Sequence, residues 1–284
     1  MKIKEKSMKI LSKTNKFYPK NLLNIHNPPS KLYVEGNYEL LNSNSIAIVG
    51  TRKCTEYGKK YAAKFAKELS QKGICIVSGL ATGIDSVAHI NSMEELGKTI
   101  AVVGSGFNHI YPEENEWLFH KIIENGGCVV SEYHPDEEKN MANFPARNRI
   151  ISGLALGVLV VEAPYRGGST ITAKHARLQG KAVFCIPNRL GEPAGYSTNW
   201  LIQNGANLVM EPDDILQYYK FQEDLSVPEE YIETYNLINT QPISANELCK
   251  ITNKKIPEIM QILFMLELDG YIKCVAGNKY IKKE

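Results

Sequence analysis

The 284-residue sequence predicts an α/β protein: a doubly wound parallel sheet with helices on both faces, then a small unit of three helices and a hairpin. Three observations carry that reading. Short runs that are apolar at successive positions recur between residues 46 and 210, as expected of strands covered on both faces. Stretches of helical spacing separate these runs, which is the alternation of a parallel sheet. Past Ser226-Val227-Pro228 the pattern changes to helical segments closed by a Gly-Asn turn.

Taken in order, residues 1–20 hold seven lysines against Glu5 and read as a solvated, poorly ordered arm. Asn27-Pro28-Pro29 and Gly36-Asn37 are turn signals, so residues 1–45 form arm and lead-in. Strands are predicted at 46–50, 74–78, 99–103, 128–131, 158–162, 182–186 and 207–210. Helices are predicted at 57–72, 84–97, 113–125, 169–179 and 196–204, giving a first domain over 46–222. In the second, over 226–284, helices at 228–238, 244–251 and 255–268 precede a hairpin opened by Asp269-Gly270 and turning at Gly277-Asn278. That is the outline of a winged helix.

Hydrophobic residues make up 43% and charged residues 23%, ordinary for a globular chain with a sizeable core. No apolar run approaches the ~20 residues of a membrane helix, and no apolar signal core opens the chain, so a cytoplasmic protein without membrane contact is expected. None of the six cysteines forms a Cys-x-x-Cys pair, and Cys75, Cys128 and Cys185 lie in strand-like runs. They read as reduced core residues. No Cys/His cluster has ligand spacing, so no metal is expected. Neither a Walker pattern nor a full G-x-G-x-x-G is present, which leaves ATP and NAD without their usual support; no cofactor is expected. The net charge is only +2, and residues 21–224 carry a small acidic excess. Any contact with nucleic acid must use a local patch.

In a doubly wound sheet ligands bind where strands end and helices begin. Glycine there lets the backbone approach an anion, and the helix N-terminus supplies free N–H groups. Such loops recur: Gly50-Thr51-Arg52-Lys53-Cys54-Thr55 with Gly58, Ser78-Gly79-Leu80-Ala81-Thr82-Gly83, Gly104-Ser105-Gly106, and Gly167-Gly168-Ser169-Thr170. One such loop is often a tight turn, whereas several on one edge describe a row of anion sites. In Phe144-Pro145-Ala146-Arg147-Asn148-Arg149, at a helix start, two arginines can pair with phosphates. Asn148 can bond backbone or base, and Phe144 offers a stacking face. The same residues also read as a helix start with surface ion pairs to Glu132 or Asp136.

Together these pieces resemble the DprA/Smf family. The matching residues are Gly50-Thr51-Arg52 with Thr55 and Gly58, Ser78 through Asp85 with Ala88-His89, Tyr111-Pro112 with Asn115, and Ser131-Glu132-Tyr133. Phe144-Pro145 with Arg147 through Leu154, Val161-Glu162-Ala163, Gly168 through Ala173, and Asn199 through Ile202 with Gly205-Ala206 continue it. The resemblance covers residues 17–215 in unbroken order. It implies an extended Rossmann-like fold that binds single-stranded DNA, loads RecA onto it in natural transformation, and forms a homodimer. On matching positions, Arg52 and its glycine loop hold a phosphate. Phe144, Arg147 and Arg149 form the strand pocket, with Gly168, Ser169, Thr170 and Lys174 along its edge. Leu201, Ile202, Leu208 and Val209 supply apolar surface for the dimer, or face the core. A helical domain that many relatives carry ahead of the sheet is expected to be missing. The winged unit has no basic excess, and its third helix mixes Lys254 and Lys255 with Glu258 and Glu267, which favours a protein contact over DNA.

The rival reading is a nucleotide-processing enzyme. The glycine-rich edge also resembles the cytokinin-activating phosphoribohydrolases, whose loop is followed at once by glutamates that help break an N-glycosidic bond. Here Gly167 through Thr172 is followed by Ala173-Lys174, a cation where that chemistry needs carboxylates. A sensor of a small nucleotide is the third class. Asp85 is expected to order its loop, His89 to pack on its helix, and Glu162 to order the Gly167–Thr170 loop. Trp117 and Trp200 are read as packing residues.

Overall fold

The structure, a computed structural model, describes residues 8–221, 227–239, 241–268 and 270–282. The chain divides into two compact units, the first ending at Lys220 and the second beginning at Phe221. The first runs β1 (Lys9–Ser12), α1 (Lys20–Leu23), β2 (Lys31–Gly36), β3 (Ser45–Val49), α2 (Glu56–Gln71), β4 (Cys75–Ser78), α3 (Ile84–Ser92), β5 (Thr99–Val102) and α4 (Glu116–Glu124). It continues with β6 (Cys128–Ser131), α5 (Asn143–Leu154), β7 (Gly157–Val160), α6 (Gly168–Leu178), β8 (Ala182–Cys185), α7 (Tyr196–Gln203), β9 (Asn207–Leu208) and α8 (Pro212–Tyr218).

All seven predicted strands, β3 to β9, lie in one nine-stranded sheet of order β1-β2-β6-β5-β4-β3-β7-β8-β9. From β6 to β9 every pairing is parallel. The apolar runs explain this: β3, β4, β5, β6 and β7 are buried at every position, because helices cover both faces. The chain lays β4, β5 and β6 outward from one side of β3 and then returns to put β7 on its other side. The sheet therefore reverses direction between β3 and β7, and the loops leaving those strands diverge to open a crevice.

The lead-in corrects the sequence reading. Residues 9–12 are not a solvated arm but strand β1, which pairs antiparallel with β2, and β2 pairs antiparallel with β6. Both strands thus extend the main sheet. Leu11 and Leu32 enter its core, and the Lys9 ammonium lies 3.5 Å from the Tyr38 ring centroid. Lysine density concealed the strand because β1 buries a single side chain, Leu11, and leaves its other three in water. Residues 1–7 of the predicted arm lie outside the described residues.

Among the described residues of the second unit are α9 (Glu229–Leu237), β10 (Ile243–Ser244), α10 (Ala245–Thr252), α11 (Ile256–Leu268), β11 (Ile272–Val275) and β12 (Lys279–Lys282). The three strands pair in the order β10-β12-β11, completing the predicted winged helix. Leu248, Ile259, Leu263 and Ile272 form its core. Ser244 and Glu247 close a reciprocal capping box at the start of α10.

Candidate nucleic-acid interface

A cavity of about 750 Å³ opens at the crevice between β3 and β7. Gly50, Thr51 and Arg52 wall one side, Gly168 and Ser169 the other, and Arg147 the floor. Each wall is a strand-to-helix loop held by neighbours the sequence does not display.

The first wall, after β3, is fixed by Glu162. Its fully buried carboxylate accepts the Thr55 N–H at 2.9 Å and the Thr55 hydroxyl at 2.5 Å. Thr55 in turn caps α2, its Oγ1 accepting the Gly58 N–H at 3.2 Å. A Cβ on Gly58 would stand 2.2 Å from the Glu162 carboxylate, so this contact requires glycine. Glu162 therefore orders the Arg52 loop, not the Gly167–Thr170 loop as the sequence suggested. Thr51 adds a turn of its own, its hydroxyl accepting the Lys53 N–H at 3.2 Å. Gly83, at φ +80, passes so close that a Cβ would meet the Thr51 carbonyl oxygen at 2.4 Å. The result is a rigid loop that presents Arg52 and Lys53 to solvent. Neither side chain has an ion-pair partner among the described residues.

The floor is different. Arg147 is 5% exposed, and its Nη1 donates to the carbonyls of Gly79, at 2.7 Å, and Val102. Burial pulls its pKa down to about 10, while the nearby Asp85 carboxylate acts in the opposite sense. Burial likewise pushes Asp85 up to about 6, opposed first by Arg147. Asp85 accepts the Gly79 N–H at 3.1 Å, as expected of a loop-ordering group. Ser78 is also structural: its hydroxyl donates to the Ile48 carbonyl at 2.6 Å. His89 is fully buried, hydrogen-bonds the Thr99 hydroxyl at 2.7 Å, and is held by burial down at about 3, neutral and packed.

The second wall is the start of α6. The Thr170 hydroxyl donates to the Gly167 carbonyl at 2.6 Å, and the Asn148 amide reaches the Gly168 carbonyl at 3.4 Å. Ser169 is 7% exposed, and its Oγ has no hydrogen-bond partner among the described residues. A buried hydroxyl and the positive end of the α6 dipole could receive an anion here. Lys174 is exposed one turn along.

Three expectations change. Arg149 is paired: its guanidinium grips Glu132 through Nη1–Oε1 at 2.7 Å and Nη2–Oε2 at 2.6 Å, and its Nε donates to the Asn27 carbonyl. Phe144 is only 8% exposed and packs on Tyr111 at 5.3 Å, so its ring forms wall instead of an open stacking face. Leu201 and Val209 are buried in the core at 4% and 1% exposure, which removes them from any dimer surface; Leu208 stays 47% exposed and Ile202 half-buried. Trp117 and Trp200 are half exposed, at 52% and 50%. Among the described residues no group of His, Cys, Asp and Glu could hold a metal, and no helix is long and apolar enough to cross a membrane.

Residues 9–220 match the family described as DNA recombination-mediator protein A, and residues 227–278 match the DprA winged helix domain. The chain belongs to the DprA family. It is 38% identical to Protein Smf of Escherichia coli K12 over 281 residues, covering 93% of this chain and 75% of that protein. It is 42% identical to DNA processing protein DprA of Streptococcus pneumoniae, covering 72% of each chain. The X-ray structure of the pneumococcal DprA superposes with TM-score 0.70 at 40% identity, covering 74% of each chain. A DprA structure from Helicobacter pylori, described as giving insight into its single-stranded DNA binding mode, superposes with TM-score 0.68 at 29% identity. That alignment covers 76% of this chain and 97% of the other. DprA relatives thus share the sheet that builds the cleft.

Proposed function

We propose that this chain is a recombination mediator that binds single-stranded DNA in the crevice between β3 and β7. The observation that carries it is the pairing of unlike walls: Arg52 and Lys53, exposed and without ion-pair partners among the described residues, face the N-terminus of α6, where the Ser169 hydroxyl has no partner among those residues. Phosphates of a flexible strand can reach both walls in turn, whereas a duplex is too stiff and wide for a crevice between two loops. In this reading Arg147, Arg149, Asn148, Ser78, Gly79 and Gly83 hold the walls in place, and Gly50, Thr51, Arg52, Gly168, Ser169, Thr170 and Lys174 meet the strand. The protein works in the cytoplasm without catalysis, loads RecA on incoming DNA, and acts as a homodimer. The open edge of β9 and the exposed Leu208 and Met210 beside it supply the dimer surface.

Two assays on the pure protein separate this reading from the enzyme. Labelled oligothymidine is titrated against duplex of equal length at several salt concentrations, and nucleoside monophosphates are assayed for free base. We expect salt-sensitive preference for the single strand and no base release. Equal affinity for duplex overturns the proposal, and base release establishes the phosphoribohydrolase reading. Capture of RecA by the protein on single-stranded DNA tests the loading step, and light scattering of Leu208→Glu tests the dimer.

A further inference from the structure

The crevice supplies cations and N–H groups but little open aromatic surface, since Phe144 is buried. Beside it lies a second groove of about 820 Å³. The two share the walls Pro164, Glu192 and Pro193. The groove holds what the crevice lacks: Tyr165 and Tyr196 stand 63% and 53% exposed, their ring centroids 5.3 Å apart at 89°. Arg189 lines the same groove, and the Arg166 guanidinium lies 5.1 Å from the centroid of the Tyr165 ring.

The backbone holds this arrangement deliberately in place. Pro164 through Gly167 is a turn closed by the Gly167 N–H on the Pro164 carbonyl at 2.9 Å. Its third residue is Arg166 at φ +57, a conformation that disfavours any residue with a Cβ. Glycine would relieve the strain, yet arginine occupies the position and keeps its charge above Tyr165. On the other side, Ser197 anchors the start of α7, its N–H and hydroxyl bonding the Ala163 and Pro164 carbonyls at 2.9 and 2.7 Å. The two tyrosines are therefore held from adjoining, mutually bonded backbones. Exposed aromatic faces with an arginine at their rim are what unpaired bases stack on.

We propose that this groove is a nucleobase site in which a single strand leaving the crevice stacks its next bases on Tyr165 and Tyr196, flanked by Arg166 and Arg189. The proposal rests on the crevice being the phosphate site. It predicts a division of labour: the crevice gives salt dependence, and the groove gives length dependence.

The test uses the full chain and oligothymidines of about 4 and about 20 nucleotides, one too short to span both sites. Tyr165→Ala and Tyr196→Ala are each expected to weaken the longer strand about five- to a hundredfold. The short strand and the salt slope stay unchanged, and Tyr165→Phe and Tyr196→Phe restore binding. No loss on the long strand, or equal loss on both lengths, overturns the proposal while leaving the crevice in place. A double alanine variant that turns a native dimer into a monomer also overturns it, because the rings then serve a second copy of the chain. If Arg52→Ala is silent on both lengths, or the native protein binds neither, the crevice reading fails and this one with it.

Discussion

Arg52 and Arg147 line the same cleft, one exposed and without an ion-pair partner among the described residues, the other buried and bonded to the Gly79 and Val102 carbonyls. Arg52 stands on a loop whose fixed points, Thr55 and Glu162, lie behind it, so the loop is rigid while its side chain stays in water. Arg147 is itself a fixed point, tying the ends of β4 and β5 beneath the crevice. A guanidinium in water is ready to exchange its solvent for phosphate, whereas one already bonded to carbonyls must lose those bonds first. The difference assigns ligand affinity to the first loop and the shape of the site to α5.

The sharpest way to break this comparison is to remove the charge beside Arg147. Asp85→Ala takes a nearby carboxylate away from a buried guanidinium and strands the Gly79 N–H, which should cost about 1–3 kcal/mol of stability. Urea unfolding measures it, and a loss below about 1 kcal/mol would mean that the carbonyls alone carry the charge. Acidity gives a second check. Asp85 is raised from 3.8 to about 6 on folding. Between those values the native state holds more protons than the unfolded one, so this group's contribution to stability falls as pH rises. Asp85→Asn should therefore gain on the native protein between pH 4 and 6 in the same measurement.

Arg149→Ala should come next. It strands Glu132, whose side chain is only 17% exposed, and frees the Asn27 carbonyl. A loss of about 1–3 kcal/mol is expected, with the salt slope of DNA binding unchanged in the folded variant. Arg52→Ala should do the reverse. Its stability should stay within about 0.5 kcal/mol of native, and its salt slope on single strands should fall by roughly 0.7. If the two variants exchange these signatures, the walls of the site have been assigned the wrong way round.

The main sheet was legible because burial on both faces leaves a direct mark on sequence, a continuous apolar run such as that of β3. Strand β1 left no such mark, since it buries Leu11 alone. Among site residues, the glycines and the loop after β3 were legible because helix starts and tight turns need particular residue types. What the arginines would do was not. Arg147 and Arg149 stand two positions apart in sequence, about 200° around a helix, and so reach different partners. Whether each finds a carbonyl, a carboxylate or water is decided by β5, by Glu132 and by Asn27, all distant in the chain. The same holds for Leu201 and Leu208: residue type proposes an apolar contact, and only the fold says whether the core or the solvent receives it.

Phe144 gives the smallest expected effect and separates wall from platform. Its ring packs on Tyr111, and a Cβ on Gly104 would come within 2.8 Å of it, so it closes the space where the loop after β5 passes α5. Leucine preserves most of that volume and all of its hydrophobicity, and such exchanges usually cost less than about 1.5 kcal/mol. If the ring is wall, Phe144→Leu should show that modest loss in urea unfolding and native affinity for single strands of every length. If a base stacks on it, removing the aromatic face should weaken binding by about 1–3 kcal/mol whatever happens to stability. Alanine could not make this distinction, because the cavity it leaves would let α5 shift and carry Arg147 with it. Leucine keeps the helix seated, so a change in affinity at native stability would have to come from the lost ring face, and would return Phe144 to the strand's path.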